Sequence, residues 1–260
     1  MTDSAPSLSP HSLRWGSTEI SGPRHAHREQ LLLRLLEKGL APGNLILDAG
    51  CGSGSLLIAL AKKGYRLRGV EFSEGFVAMV QKKIDEAQLG NVAAVSPGTL
   101  TRLEFPAECF DAVVCGEVLE HLQDDRQAVQ EFHRVLKRGG ICAVSVPAHP
   151  LLWDETDEWA GHVRRYRKRE LVDLFERNGF RAEKAMFWGF PSVLLYHKLI
   201  FLPWMKRAAR KGAGAQAEKD FRQAAASGRL ESAARLLFSM DGLFRFVPLG
   251  IGLMLRAQKR

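Results

Sequence analysis

Glycine recurs at every second position in Asp48-Ala49-Gly50-Cys51-Gly52-Ser53-Gly54, between the apolar run Leu45-Ile46-Leu47 and the helix-forming run Ser55-Leu56-Leu57-Ile58. Glycine accepts positive φ and lets a ligand approach the backbone closely. A helix that begins directly after such a turn offers unpaired N–H groups to a carboxylate or phosphate. Glu71 closes the next apolar run about 20 residues later, a spacing at which a carboxylate accepts both hydroxyls of a ribose. The spacing is GxGxG rather than GxGxxG, and the turn lacks the Lys-Ser/Thr pair of a phosphate-binding loop. An adenosyl ligand with an amino-acid tail therefore fits better than a dinucleotide or ATP.

Two further segments carry reactive side chains. In Glu117-Val118-Leu119-Glu120-His121, the two acids and the histidine stand at i, i+3 and i+4, on one face if the segment is a helical turn. That set could hold a divalent metal ion, or it could cap a helix and line a cavity. The loop Ala148–Arg167 concentrates His149, Trp153, Trp159, His162, Arg164, Arg165 and Tyr166, more than a connector requires. His162 is the candidate base for an acceptor hydroxyl, and His121 is a second catalytic candidate; a structural tie of His162 to Asp154 or Asp157 is the competing expectation. His149, Trp153, Arg164, Arg165 and Tyr166 are candidate substrate contacts, although the two arginines can equally pair with the loop's acids.

Strand and helix signals alternate from residue 31 onward, the pattern of a doubly wound parallel sheet. Strands are expected over 44–49, 65–72, 92–96, 110–115, 141–146 and 181–187. Helices are expected over 27–38, 55–63, 75–87, 127–136 and 168–178, with Gly139-Gly140 closing the fourth. This arrangement puts the glycine turn, Glu71, Cys115 and the 148–167 loop at the carboxyl edge of the sheet, where ligands bind in such folds. Residues 188–247 read as a mainly helical, basic insert with a joint at 211–216, and 248–260 as a closing strand. Residues 1–27 are either a lid, with Trp15, Arg24 and Arg28 as contacts, or a solvated arm.

LDAGCGSG, VEFSEGF, FDAVVCGEVLEHL and FHRVLKRGGICAVSVP resemble, in order and spacing, the motifs of class I S-adenosylmethionine-dependent methyltransferases over about residues 28–187. The resemblance implies an α/β Rossmann-like fold with a seven-stranded sheet and a helical insert before the last strand. Gly50, Gly52 and Gly54 would line the methionine part of the cofactor, with Asp48 and Cys51 in the same turn. Glu71 would hold the ribose, Phe72 would pack on the adenine, and Cys115 or Gly116 would meet the amino-acid end. Thr99, beside Leu100, stands where many relatives carry an Asp for the adenine amine. EVLEH is also similar to a segment of ubiquinone-pathway O-methyltransferases, in some of which it holds a metal. The implied activity is methyl transfer to a small or lipid-like acceptor, through oxygen first, with nitrogen or carbon and a non-catalytic adaptor as alternatives.

Four scattered cysteines without zinc spacing suit a reducing cytosol, and the polar start with Asp3 does not match an export signal. The net charge of +8 is uneven: residues 181–260 carry 15 Lys+Arg against 5 Asp+Glu. An anionic membrane surface is one partner for such a segment. The run Phe190–Trp204, interrupted by Pro191, His197, Lys198 and Pro203, is too broken to span a bilayer but can lie in the interface or cover the site. Spread basic residues without a stacking platform, and CGEV in place of an NPPY-like tetrad, argue against nucleic acid.

Overall fold

The computed structural model describes residues 22–210, 234, 236–244 and 246–260. Trp15 and the 211–216 joint lie outside them. Seven strands form one sheet in the order β3-β2-β1-β4-β5-β7-β6. They are β1 (Leu45–Ala49), β2 (Arg66–Glu71), β3 (Ala93–Pro97), β4 (Phe110–Gly116), β5 (Leu136–Pro147), β6 (Phe180–Trp188) and β7 (Gly252–Lys259). The first five are parallel, and β7 runs antiparallel between β5 and β6.

Alternation along the central strands builds a core on each face of the sheet. Leu47, Val113, Cys115, Cys142 and Val144 enter one layer, with Phe132 of helix α4 (Asp125–Val135) and Phe175 of α6 (Lys168–Glu176). Ile46, Ala112, Val114, Ile141 and Ala143 enter the other. That second layer is covered by α1 (Pro23–Leu36), α2 (Ser55–Lys62) and α3 (Glu74–Glu86), and it also takes in Trp188, Val193 and Phe238. The sheet order reverses between β1 and β4, and the crevice above such a reversal is where ligands bind. Both the glycine turn after β1 and Gly116 at the end of β4 open there.

The expected elements are present, with shifted limits. The lead helix starts at Pro23, so the boundary expected at 27/28 falls inside α1. The fourth helix ends at Val135 and β5 begins at Leu136, ahead of the two glycines expected to cap the helix. Gly139 and Gly140 instead serve a strand irregularity: the β4–β5 register shifts between Phe110 and Ala112, and a Cβ on Gly140 would lie 2.9 Å from the Lys137 carbonyl oxygen. The 148–167 loop contains the short helix α5 (Glu155–Ala160). Beyond β6 come α7 (Ser192–Tyr196), a π-helical turn over His197–Phe201 and α8 (Leu202–Arg210). The closing strand starts at Gly252, four residues later than expected.

Candidate functional site

The glycine turn is shaped by its neighbours. Gly50 and Gly54 have φ of 76° and 80°, and a Cβ on either would approach Val118 or Val80 to 2.6 or 2.8 Å. Only glycine meets both demands. Glu71 is braced across the turn, accepting hydrogen bonds from Gly52 N at 2.8 Å and Ser73 N at 3.0 Å. Asp48 is buried beneath it. Burial and the nearby Glu29 and Glu71 carboxylates raise its pKa to about 8.

Helix α1 closes this crevice from above. Ser55 Oγ at the start of α2 donates to Glu29 Oε1 at 2.5 Å, and His25 Nε2 lies 3.1 Å from the same hydroxyl. Burial would raise the Glu29 pKa, but the His25 and Ser55 hydrogen bonds outweigh it and keep the acid below its ordinary value. Neither His25 nor Glu29 stood out in the sequence, because their role depends on a helix folding back over residues about 30 positions away.

The remaining expected cofactor residues surround the turn. Phe72 is half exposed and free to receive a flat ring, Leu100 is buried, and Thr99 Oγ1 lies 3.1 Å from Thr101 Oγ1. The Cys51 and Cys115 thiols are held protonated by burial, and Cys115 points into the core, so only its backbone can meet a ligand. Gly116 opens at the strand end without that obstacle.

Next to Gly116 lies a cavity of about 160 Å³ whose walls include Arg24, Arg28, Glu117, His121, Asp157, Trp159, His162, Arg165, Trp188, Phe201 and Ile251. The 148–167 loop supplies its reactive wall. Asp157 has no exposed surface and binds three partners. Its Oδ1 accepts from His162 Nδ1 at 2.7 Å, and Arg165 grips both oxygens at 2.8 and 2.7 Å. It also closes the capping box of α5 with Asp154. Burial acts to raise the Asp157 pKa, and the His162 and Arg165 hydrogen bonds reverse that and lower it. A carboxylate on Nδ1 fixes the proton there and leaves Nε2 as the acceptor nitrogen. Nε2 stands 3.8 Å from Glu120 Oε1, on the cavity side.

The EVLEH segment departs from the helical spacing expected of it. Glu117 takes a left-handed φ of 58°, and only Leu119–His121 form a tight 3₁₀ turn. Glu117 therefore turns toward Ser145 Oγ, which donates to it at 3.0 Å, and toward Arg28. Glu120, His121 and His162 come together instead, with one ligand atom from each within 4.8 Å of the others. Burial and Glu117 push the Glu120 pKa well up, while burial and His162 bring His121 down to about 4. Neither Glu120 oxygen has a hydrogen-bond partner among the described residues.

Of the expected substrate contacts, only Arg165 reaches the cavity, and its guanidinium is committed to Asp157. Arg164 turns outward to Asp125 at 2.8 Å and to the Gln123 carbonyl oxygen. Tyr166 is buried and donates to Asp125 at 2.7 Å, so the same acid draws both away. His149 stacks on Phe187 with 4.6 Å between ring centroids, and Trp153 lies half exposed outside the cavity. Trp188 and Ile251, at the ends of β6 and β7, line the cavity without having stood out in the sequence, because they meet it only through the sheet's closing pair.

Residues 47–144 match the methyltransferase domain family. The chain is 32% identical over 151 residues to demethylmenaquinone methyltransferase of Geobacillus kaustophilus, covering 56% of this chain and 62% of that one. It is 35% identical over 104 residues to ubiquinone biosynthesis O-methyltransferase of Paracidovorax citrulli, covering 39% and 44%. The chain spans 54% to 62% of the length of the first curated relatives it matches. A geranyl diphosphate methyltransferase solved in complex with S-adenosylmethionine superimposes with a TM-score of 0.64 at 16% identity, over 89% of this chain and 84% of that one, a likeness of fold.

Proposed function

We propose that this chain, whose residues 47–144 match the methyltransferase domain family, is a class I S-adenosylmethionine-dependent methyltransferase that methylates a ring hydroxyl of a lipid-like acceptor. The observation carrying this reading is the Asp157–His162 pair on the wall of a cavity that begins at Gly116. An engineered protein cavity of about 150 Å³ binds one benzene ring, so the 160 Å³ here suits one aromatic head group. Trp159, Trp188 and Phe201 supply apolar walls for it. The quinone-pathway names of two relatives favour the same kind of head.

The donor supplies an electrophilic methyl group on a sulfonium. Glu71 would hold its ribose, the Gly50–Gly54 turn its methionine part, and Gly116 its amino-acid end. Those contacts and the aromatic walls align acceptor oxygen, methyl and sulfur, and such orientation accounts for much of the acceleration in a transfer of this type. His162 Nε2 takes the hydroxyl proton as the oxygen attacks, while Asp157 steadies the imidazolium that forms. The thiols, all unpaired, suit the cytosol as the place of action.

The test is labelled-methyl transfer into a lipid extract rich in quinols and phenols, with the product identified by mass spectrometry. An O-methyl ring product from wild type, lost in His162→Gln, supports the reading. A product methylated on carbon or nitrogen overturns it.

One observation favours a second reading, in which His162 Nε2, His121 and Glu120 hold a divalent ion. Two imidazoles and a buried carboxylate with unpartnered oxygens make a suitable donor set, and Asp157 behind His162 is the support that metal-bound histidines usually have. Such an ion would act as a Lewis acid toward the acceptor oxygen. Metal analysis and zinc or manganese calorimetry, with wild type against Glu120→Gln, separate the two readings.

A further inference from the structure

Phe201 joins the cavity to the outer surface of the insert. It belongs to the cavity wall, and its π-helical turn also carries Leu199 and Ile200, exposed by 69% and 52%. Leu195, one turn earlier, is 53% exposed. The segment 236–244 packs on α7 through Ser192 Oγ on Asp241 and Tyr196 on Phe238 with ring centroids 5.6 Å apart, and on the turn before it through Phe190 on Phe244 at 6.2 Å. Its buried residues are Phe238 and Asp241, while Leu236, Met240 and Leu243 are exposed, followed by Phe246 and Leu249. A single exposed leucine is ordinary. Eight large apolar side chains on two adjoining segments make a patch of the kind that marks an interaction surface.

The charge around this patch selects the partner. Between Glu183 and Glu218 the chain has no acidic residue and six basic ones, Lys184, Lys198, Lys206, Arg207, Arg210 and Lys211. Lys206 and Arg207 are exposed on α8, which continues directly from the Leu199–Ile200 turn; Lys206 also meets Glu155 at 2.8 Å and Lys198 meets Asp154 at 2.7 Å, so these two are partly neutralised and the excess of positive charge rests on Arg207 and the basic residues that follow it in the sequence. Apolar side chains that can enter the acyl boundary, flanked by cations at headgroup depth, fit an anionic bilayer surface. Among the described residues no helix is long and apolar enough to cross a membrane, so the surface would rest on the bilayer.

We infer that the face formed by Leu195, Leu199, Ile200, Leu243, Phe246 and Leu249 docks on an anionic lipid bilayer, with the Phe201 wall of the acceptor cavity adjoining that surface. The acceptor then passes from the bilayer into the cavity along Phe201, its head group entering while its tail stays in lipid. The route rests on the reading of the cavity as an acceptor site; the docking does not.

Flotation of the full chain with phosphatidylcholine vesicles, with and without phosphatidylglycerol, tests the docking apart from catalysis. Wild type is expected to float with the anionic vesicles and to release as salt screens the charges. Leu199→Glu with Ile200→Glu, and separately Leu243→Glu with Phe246→Glu, should each cut the bound fraction by about tenfold, with S-adenosylmethionine affinity by calorimetry unchanged as proof of folding. Equal flotation of wild type and variants overturns the docking. So does a wild-type dimer that the same substitutions convert to monomer, since the patch would then be a contact between copies. If the docking stands but turnover of a vesicle-borne acceptor is unaffected in the variants, the entry route alone fails.

Discussion

Asp157→Asn is the sharpest perturbation of the proposed site. The substitution keeps the shape and removes the charge that fixes His162 and neutralises Arg165. Two losses follow, and they can be measured separately. The first is stability. The Arg165 side chain is 4% exposed and grips both Asp157 oxygens, and breaking a buried ion pair from one side costs about 3–5 kcal/mol. At about 2–4 °C per kcal/mol for a chain of this size, the melting temperature should fall by roughly 10 °C. The second is proton transfer. The amide can accept at Nδ1 no better than it can donate there, so His162 loses its preference for the tautomer with Nε2 free. A positioned base contributes about 10²- to 10⁴-fold, so kcat should drop by at least about 10²-fold when measured well below the new melting point. S-adenosylmethionine affinity should hold, because Glu71 and the glycine turn are not in contact with Asp157. Methyl transfer at 15 °C, calorimetry and thermal melts together decide. A lowered melting temperature with kcat within threefold of wild type, on the order of 0.6 kcal/mol in barrier, would make Asp157 a structural counter-ion only and refute the base assignment.

Other outcomes follow from the same geometry. Glu71→Ala removes the acceptor of both expected ribose hydroxyls and should weaken S-adenosylmethionine by about 10- to 100-fold in calorimetry, from the usual worth of hydrogen bonds to a charged group; unchanged affinity would refute the ribose assignment. Gly50→Ala puts a Cβ against Val118 at a positive φ, and strain of about 1–3 kcal/mol should show in denaturant melts. Acid should destabilise the insert. His197 is buried against Asp154 and Arg24, and burial, its largest influence, lowers its pKa. Since the unfolded chain then takes up the proton first, stability is complete above the unfolded histidine value near 6.5 and declines as pH falls toward the folded value. Asp154 adds a further loss at lower pH: burial opposes its ionisation, but the His197, Lys198 and Thr156 hydrogen bonds prevail and depress its pKa. His197→Gln should flatten the pH 5 to 7 part of the stability profile, and an unchanged slope would remove His197 as its source.

How far the sequence could be read depended on how local each feature is. The glycine turn, Glu71 and the strand order are written in contiguous runs, because a parallel strand, its turn and the following helix are neighbours in the chain. The cavity is not, since its walls come from Arg24, Gly116, Trp159, Trp188 and Ile251, positions that only the closed sheet unites. EVLEH shows the limit most clearly. Its spacing predicts one helical face, but the left-handed backbone at Glu117 sends that side chain to Ser145 and leaves Glu120 and His121 to meet His162. In the 148–167 loop the residue types suggested a site, yet which of them face inward was set by two acids, one outside the loop and one within it: Asp125 took Arg164 and Tyr166, while Asp157 took His162 and Arg165.

The pairing of Trp188 with Gly252 places the two ends of the insert side by side on adjacent antiparallel strands. A tight hairpin turn could therefore join the two strands in register, but the segment between them also supplies Val193, Phe238 and Ile251 to the core layer under α1. Such a graft would remove Phe201 from the cavity wall together with the Phe238 and His197 contacts of His27 and Arg24 on α1. The insert therefore couples the cavity wall to the helix that closes the glycine turn, so a change in one is felt by the other.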